Sequence, residues 1–464
     1  MQLRTMVTDR TTVMHQQLHR ICFTWQFRHS NCYTRFHSPV NASGPGGQYS
    51  RSKPVAAHGM PFFGRLEEYS LSGQAVHFGA GSIGRGFLGQ IYCESGYHTT
   101  FIDVVEPVVA AINARGGYPL HEISDDGTRT LWIEHVSAVD GKDVAAAAAA
   151  LAGADIASTA VGLHALPYIA PAIARAVEKR ADREDVRPLD IIICENLKDG
   201  EAHMRSLVAS HLDPKYHRFL NESVGFVEAS IGRMVPVMTA EQRAEDLLAV
   251  WVEPYCELPV DARGFRGAVP PLKYLKPTSN FSAYVERKLF VHNLTHAATA
   301  YLGYRQGFEY IYQSIRDAGI RARVEAAGRE TCAALVKKYG ISADDLEAHL
   351  QDLIRRYHNR ALADQVSRVG RDPVRKLGPD DRLIGAVRLC RSFGIEPHSV
   401  AVATAAAILY DNPEDPASVE VRALLRDGGV DAVLERICGL DPGSEEANMI
   451  RNAVQQLSGD IKGS

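Results

Sequence analysis

The sequence predicts an α/β protein in which a doubly wound parallel sheet with added edge strands is followed by a mostly α-helical C-terminal domain. Short apolar runs alternate with helical patterns from residue 74 to about residue 229. This alternation is typical of a parallel sheet covered by helices on both faces. Strand patterns disappear after about residue 270, and helical periodicity dominates from 280 to 457. We therefore expect two domains, at 73–268 and 269–464.

The first domain is organised around residues 74–96, QAVHFGAGSIGRGFLGQIYCESG. An apolar run precedes three glycines at the spacing G-x-G-x-x-G, and a helical pattern follows them. The first glycine permits a tight turn, the second lets backbone approach a pyrophosphate, and the third lets the helix pack on the strand. The helix N-terminus adds N–H groups for the phosphates. This context predicts a Rossmann-type dinucleotide site, with a purely structural turn as the alternative. The expected cofactor-binding residues are Gly79, Ala80, Gly81, Ser82, Ile83, Gly84, Arg85, Asp103, Val161 and Gly162.

Asp103 stands at the tip of the second predicted strand, where it can accept hydrogen bonds from ribose hydroxyls. A carboxylate there would repel a 2′-phosphate, so we predict NAD rather than NADP. Val161 and Gly162 lie at the end of the predicted strand 156–161, and the small residues there suit the nicotinamide end of the cofactor.

The remaining elements of the first domain follow the same alternation. Strands are predicted at 75–78, 99–102, 156–161, 190–194 and 224–229. Helices are predicted at 85–95, 106–115, 142–152, 165–180 and 200–212. The extended stretch 247–258 is expected to add antiparallel strands at one edge of the sheet.

Bulk composition narrows the class of protein. The 464 residues are 45% apolar and 23% charged, with a net charge of −4, which argues against a nucleic-acid binder. No apolar run approaches the roughly 20 residues that span a bilayer. Eight scattered cysteines show no metal-ligand spacing, which favours a reducing compartment without structural zinc. We expect a cytoplasmic protein that binds neither membranes nor nucleic acid.

Residues 1–72 differ from the rest of the chain. Up to Arg65 they contain eight Lys or Arg residues and one acid, Asp9. We expect a disordered or targeting-like extension. If this basic segment is a transit peptide, the protein is instead expected in mitochondria.

The helical region begins with a segment rich in polar groups, KLFVHNLTH. At about 100° per residue, Lys288, Asn293 and His296 lie at roughly 0°, 140° and 80°, on one side of a helix. Apolar neighbours predict that this helix is buried, and buried polar groups require partners. Two interpretations of these three residues stay open, namely a catalytic cluster and a satisfied polar network between the domains. Asn196, just after the predicted strand 190–194, would project into the same cleft unless it is a helix N-cap.

Several long blocks resemble the polyol-specific long-chain dehydrogenases. K-x-x-x-x-N-x-x-H follows a nucleotide-binding domain, and the blocks occur in order over about residues 75 to 383. They are HFGAGSIGRGF, DIASTAVG, IIICENL, VGFVEASIGRMVP, FSAYVERKLFVHNLTHAATAYLG and RVGRDPVRKLGPDDRLIG.

The resemblance implies a metal-free, NAD-dependent enzyme that interconverts D-mannitol 1-phosphate and D-fructose 6-phosphate. Lys288 is the expected general base, because burial and nearby positive charge can lower a lysine pKa toward neutrality. Asn293 and Asn196 would donate to the developing alkoxide. His296 would orient the substrate or Lys288, unless it is a packed helix histidine. Glu286 and Arg287 are assigned no chemistry, and a monomer is expected by analogy.

A basic loop, RVGRDPVRKLGPDDR at 368–382, is the expected contact for the substrate phosphate. Glycines and prolines interrupt it, and arginine forks match phosphate oxygens. We single out Arg375, Lys376 and Arg368, with a solvated charged surface as the alternative. The other functions left open are a dehydrogenase for an unphosphorylated polyol or hexuronate, and a non-catalytic NAD sensor.

The chain departs from the family pattern at two places. Gly232 stands where many relatives have Asp, so a role for that acid is dropped or moves to Glu228. Arg360 follows Asn359 where many relatives have proline, which changes the expected shape of that loop.

Overall fold

The computed structural model describes residues 71, 73–183, 187–197, 199–236 and 238–459. The basic N-terminal extension lies outside these residues, apart from Leu71. Its interpretation as a disordered or targeting segment therefore stays a prediction.

The first domain contains a six-stranded parallel sheet. Its strands are β1 (Gly73–Phe78), β2 (Tyr97–Asp103), β5 (Val136–Asp140), β6 (Ile156–Thr159), β7 (Leu189–Ile193) and β8 (Val224–Glu228). Their order is β5-β2-β1-β6-β7-β8, and every neighbouring pair is parallel. The order reverses direction beside β1, and ligands of such sheets bind at this switch point, beyond the carboxyl ends of the strands. All five predicted strands are confirmed, and β5 is a strand that the prediction missed.

Helices cover both faces of the sheet. They are α1 (Gly89–Glu94), α2 (Glu106–Arg115), α3 (Val144–Gly153), α4 (Leu166–Ala181), α5 (Gly200–Ala209), α6 (His217–Ser223) and α7 (Ala240–Glu245), with a π-helical turn at Gly84–Leu88 before α1. The apolar sides of α3, α4 and α5 pack on one face of the sheet. Residues of the π-helical turn and α1 pack on the other face. The five predicted helices are confirmed to within three residues at their ends.

The added strands do not pair as predicted. β3 (Gly117–Ser124) and β4 (Gly127–Glu134) form an antiparallel hairpin, and β9 (Val250–Val252) pairs with β3 in parallel. β10 (Leu258–Asp261) pairs in parallel with β11 (Leu275–Thr278). The expectation that residues 247–258 add antiparallel strands is therefore wrong. The pairing partner of β9 lies far away in the chain, so no local pattern reveals its direction.

The second domain is helical, as predicted. Its helices are α8 (Phe281–Arg287), α9 (Leu294–Arg305), α10 (Ile311–Arg316), α11 (Ala318–Tyr339), α12 (Ala343–Tyr357), α13 (Val366–Gly370), α14 (Pro373–Lys376), α15 (Ile384–Ser392), α16 (His398–Ile408), α17 (Pro416–Arg436, broken at Gly429) and α18 (Glu445–Gly459). A second π-helical turn, Lys288–Asn293, joins α8 to α9. α9 is buried in the core and packs against α16. Small side chains on both helices permit this close packing.

The described residues contain neither a membrane-spanning helix nor a metal-ligand cluster. No helix in those ranges is both long and apolar enough to cross a membrane. No group of three His, Cys, Asp or Glu side chains there could hold a metal ion. The six cysteines of the described ranges are all buried and free of disulfides.

Candidate active site

The glycine turn after β1 leaves open space in front of its backbone. Gly79 has φ 99°, and a Cβ there would lie 2.6 Å from the carbonyl oxygen of Ala160. A Cβ on Gly84 would overlap the carbonyl oxygen of Gly79. Gly81 is exposed, and a Cβ there would meet nothing within 4 Å. Gly79 and Gly84 are therefore required by the fold, whereas the space in front of Gly81 is open, and its use by a pyrophosphate stays a prediction.

Asp103 fastens the tip of β2 to the glycine turn. One carboxylate oxygen accepts a hydrogen bond from the Ala80 N–H at 2.6 Å, and the other accepts one from the Val105 N–H at 2.8 Å. The carboxylate is half-buried, and each oxygen retains a lone pair for a further donor. Asp103 thus lies where a ribose-binding carboxylate is expected, and it also shapes the turn.

The buried Arg85 side chain stabilises the glycine turn. The side chain is buried and donates to the carbonyl oxygen of Ala80 and, at 3.4 Å, to that of Leu247. The Tyr118 hydroxyl donates to the carbonyl oxygen of Arg85 at 2.9 Å. Arg85 therefore supports the shape of the turn. Direct contact of its guanidinium with a cofactor stays a prediction.

A buried carboxylate that the sequence analysis missed joins the ends of β6 and β7. Glu195 accepts hydrogen bonds from the Thr159 hydroxyl at 2.6 Å and from the Val161 N–H at 2.9 Å. Burial raises the pKa of Glu195 despite these donors. Glu195 thereby fixes the Val161–Gly162 segment. Its signal in the sequence was an acid directly after an apolar strand.

Lys288 of the helical domain and Asn196 of the first domain are in contact. The Lys288 ammonium group lies 3.4 Å from Oδ1 of Asn196, although the two residues are 92 positions apart in the chain. The competing reading of Asn196 as a helix N-cap is wrong, because α5 begins at Gly200 after Asp199. With Oδ1 facing Lys288, the amide N–H groups of Asn196 remain available to a ligand oxygen.

The surroundings of Lys288 disfavour its charged form. Burial lowers the pKa of Lys288 to about 8, and the positive charge of Arg382 acts in the same direction, while the Cys194 thiol opposes it. Arg382 donates through Nε to Asp381 at 2.8 Å. The sequence places Arg382 only among the basic residues of the 368–382 loop, and its effect on Lys288 was not predicted, because only the tertiary structure brings the two side chains near each other.

The helix that carries the polar cluster is not a uniform α-helix. Lys288–Asn293 is a π-helical turn, so the assumption of 100° per residue across it is wrong. The i→i+5 bonding of a π-helical turn is wider than that of an α-helix, and such turns are frequent at functional sites. Asn293 ends the turn half-buried and makes no side-chain hydrogen bond within the described ranges. The prediction that this helix is buried is confirmed, with Val291 and Leu294 fully inaccessible.

His296 is held in a fixed orientation by two neighbours. Its Nε2 lies 2.9 Å from a carboxylate oxygen of Asp364. Its ring stacks on Tyr357 with centroids 5.0 Å apart. These contacts fix the imidazole, and its predicted contact with the substrate or Lys288 stays a prediction.

The predicted phosphate residues are occupied by other partners. Arg368 pairs with Asp364 at 2.6 Å, and Arg375 pairs with Asp372 at 2.9 Å. Lys376 is buried and donates to the carbonyl oxygen of residue 371. Burial and the nearby charge of Arg382 lower the pKa of Lys376 to about 7. Their assignment to the substrate phosphate stays a prediction.

A buried polar chain connects the cofactor helix to the helical domain. Arg356 of α12 donates to the carboxylate of Glu253 at 2.7 Å, and Arg233 donates to the Glu253 carbonyl oxygen at 2.9 Å. Arg233 also donates to Gln90 of α1 at 2.6 Å. Because two of these links are buried and the third is partly buried, this chain helps to fix the relative position of the two halves of the site.

At the two departures from the family pattern, the structure shows what Glu228 and Arg360 contact. Glu228 accepts a hydrogen bond from the N–H of Gly200 at the start of α5. The Arg360 N–H donates to Asp125 at 2.7 Å, a bond that proline could not make.

Comparisons with known proteins agree on one family. The family model described as the mannitol dehydrogenase Rossmann domain matches residues 73–274, and that of the mannitol dehydrogenase C-terminal domain matches 280–458. The chain is 38% identical to the mannitol-1-phosphate 5-dehydrogenase of Bacillus pumilus (strain SAFR-032), over 80% of this chain and 96% of that protein. It is also 38% identical to the enzyme of that name from Geobacillus thermodenitrificans (strain NG80-2), over 79% and 94%.

Two solved structures share the fold. One is Pseudomonas fluorescens mannitol 2-dehydrogenase in a ternary complex with NAD and D-mannitol, with a TM-score of 0.64 and 18% identity over 85% of this chain and 93% of that one. The other is D-sorbitol dehydrogenase in substrate-free form, with a TM-score of 0.70 and 15% identity over 84% and 94%.

Proposed function

Because this chain belongs to the mannitol dehydrogenase family, it is an NAD-dependent oxidoreductase, and we propose that it interconverts D-mannitol 1-phosphate and D-fructose 6-phosphate. The observation that carries the proposal is the Lys288 amine, whose pKa is lowered to about 8 and which contacts Asn196 across the two domains. A lysine tuned in this way can exchange a proton near neutral pH.

Lys288 acts as the general base of the proposed reaction. In the oxidation it takes the proton of the alcohol hydroxyl while the carbon loses hydride and the C=O bond forms. Bound NAD supplies the hydride acceptor. In the reduction the Lys288 ammonium returns the proton to the oxygen. Positive charge at Arg382 favours the neutral amine, which is the form that the oxidation requires.

Two amides stabilise the oxygen on which negative charge develops. Asn196 and Asn293 donate N–H groups to this alkoxide, and such preorganised donors act strongly in a site that excludes water. His296, held by Asp364 and Tyr357, orients the polyol chain.

The glycine turn and its neighbours hold the cofactor. The free space at Gly81 would hold the pyrophosphate, and Asp103 would accept hydrogen bonds from the ribose hydroxyls. Val161 and Gly162, fixed by Glu195, line the nicotinamide end. The remaining contacts come from Gly79, Ala80, Ser82, Ile83, Gly84 and Arg85.

The substrate phosphate distinguishes this proposal from its rivals. The curated relatives act, by name, on a phosphorylated polyol. Arg375, Lys376 and Arg368 are candidates for its contact, although their present partners are carboxylates and a carbonyl. The rivals are a dehydrogenase for an unphosphorylated polyol or hexuronate and a non-catalytic NAD sensor. We expect the protein to act as a monomer.

Steady-state kinetics with two sugars test the proposal. We expect NADH oxidation with fructose 6-phosphate at a kcat/KM at least about a hundredfold above that with fructose, since charge-assisted contacts to a phosphate are strong. Equal values for the two sugars would favour the unphosphorylated substrate. NADH binding without oxidation by any keto sugar would favour the sensor.

A further inference from the structure

A small recess behind Lys288 is lined by positively charged and imidazole side chains. It lies where the segment after β8 meets α8, the π-helical turn and α12. The residues that give it its character are Gly232, Arg287, Lys288, His292, His349 and Arg356. Within the described ranges, its lining contains no aspartate or glutamate. We call it the cationic recess.

Arg287 has no carboxylate partner anywhere in the described ranges. Its guanidinium carbon lies 4.4 Å from the ring centroid of Tyr284, and it makes no side-chain hydrogen bond there. It is half-buried, directly beside Lys288 in the chain. Buried or partly buried charges are normally paired, so an unpaired guanidinium in a recess suits an anion that arrives from outside.

Arg356 adds a second guanidinium with donor capacity to spare. Its side chain is only 9% exposed, and its ring partner is Tyr255, with 4.1 Å between the guanidinium carbon and the ring centroid. Nε and Nη2 donate to Glu253, and Nη2 also donates to the carbonyl oxygen of Gly232. The buried Nη1 has no hydrogen-bond acceptor among the described residues and lies 3.7 Å from Asp352. Nη1 is therefore at ion-pair distance from Asp352 without a hydrogen bond to it, and its N–H groups are not yet used by an acceptor in the described ranges.

His349 supplies a third donor position. Its Nε2 is buried and has no hydrogen-bond partner among the residues that the structure describes. Burial and the charges of Arg287 and Arg356 lower the pKa of His349 to about 3, so the ring is neutral at physiological pH. A neutral ring can still carry its proton on Nε2 and donate it to an oxygen.

We infer that the cationic recess binds the phosphate group of the substrate, an inference that rests on the proposed function. Arg287, Arg356 and His349 donate to the phosphate oxygens, and Lys288 lies at the wall of the same recess. A ketose chain that leaves the recess therefore passes the amine that exchanges its proton. The basic loop at 368–382 then acts mainly through Arg382 on Lys288, since Arg368, Arg375 and Lys376 are already occupied.

Gly232 offers a matched pair of variants. It is not in the left-handed region, and an added Cβ would have only the Tyr255 ring within 4 Å, starting at an ordinary contact of 3.5 Å. Gly232→Asp adds a carboxylate that competes with the phosphate for the arginines, whereas Gly232→Asn adds the same bulk without the charge. We expect the ratio of kcat/KM for fructose 6-phosphate to that for fructose to fall by about tenfold or more only in the aspartate variant.

Arg287→Gln gives a second measure of the same contact. We expect it to lower that ratio by about tenfold or more, through a higher KM for the phosphorylated sugar. A ratio that survives both Gly232→Asp and Arg287→Gln but is lost in Arg375→Gln would overturn the inference and assign the phosphate to the basic loop.

Inorganic phosphate separates this inference from the substrate assignment. A ligand that binds only the folded protein raises its Tm. We expect phosphate to raise the Tm of the unchanged protein and of Gly232→Asn, but not that of Gly232→Asp or Arg287→Gln. If the unchanged protein shows no preference for the phosphorylated sugar, the proposed function fails, and this pattern alone then upholds the recess as a phosphate site. An equal rise in all four proteins, or in none, overturns it.

Discussion

The cofactor half and the catalytic half of this molecule each contain a π-helical turn, but they present different atoms to the cleft. At Gly84–Leu88 the important groups are backbone atoms and the absence of side chains at Gly81 and Gly84. At Lys288–Asn293 they are side chains, an amine and an amide. The first half is therefore defined by conformation, and the second depends on which distant groups surround it.

This difference shows in the partners of each half. Asp103 reaches Ala80 over 23 positions of the chain, within one strand–helix–strand unit. Lys288 meets Asn196 from the other domain and responds to the charge of Arg382. A backbone-defined site can thus be altered one glycine at a time, whereas the side-chain site responds to changes in both domains.

Lys288→Met gives the largest expected effect. Removing a general base typically costs about 10² to 10⁴ in turnover. We expect kcat for fructose 6-phosphate reduction to fall by that factor, while the Kd of NADH, measured by fluorescence titration, stays within about twofold. Unchanged turnover would show that the catalytic half does not depend on this amine.

Gly81→Ala and Gly84→Ala separate a binding role from a folding role within one motif. The new methyl of Gly81→Ala enters open space, so we expect an unchanged Tm and a loss of NAD affinity of at least about tenfold. The new methyl group of Gly84→Ala meets the Gly79 carbonyl oxygen. We therefore expect overpacking to destabilise the folded protein by about 1–3 kcal/mol and to lower its Tm. Thermal melts and NADH titrations of both proteins check this. Equal behaviour of the two variants would remove the distinction.

The smallest expected effect is a shift in the pH profile. The oxidation needs neutral Lys288, so its kcat rises with pH and levels off above the pKa of about 8, whereas the reduction needs the ammonium and falls above it. Arg382→Gln removes a positive charge, so we expect the Lys288 pKa and both midpoints to move upward. Profiles recorded in both directions provide the measurement. Midpoints that stay fixed in Arg382→Gln would show that burial alone tunes the amine.

The two small accessory sheets show where local pattern stops being informative. The parallel strands of the main sheet are buried on both faces, so each is an apolar run that periodicity detects. β9 pairs with β3 and β10 with β11, and the direction of such pairing depends on the path of the chain between them. The π-helical turn at Lys288 is a second case, since no spacing of side chains distinguishes it from an α-helix.

By itself, the sequence determined the alternating fold, the helical second domain and the glycine turn with Asp103, because each depends on neighbours within a short stretch of chain. It also identified Lys288 and Asn196 as candidates through the family resemblance. Only the tertiary structure decided that Arg382 lies near the amine, that Glu195 ties β6 to β7, and that Arg287 faces a recess without a carboxylate. Burial and charge are sums over groups from distant parts of the chain, and folding alone brings those groups together.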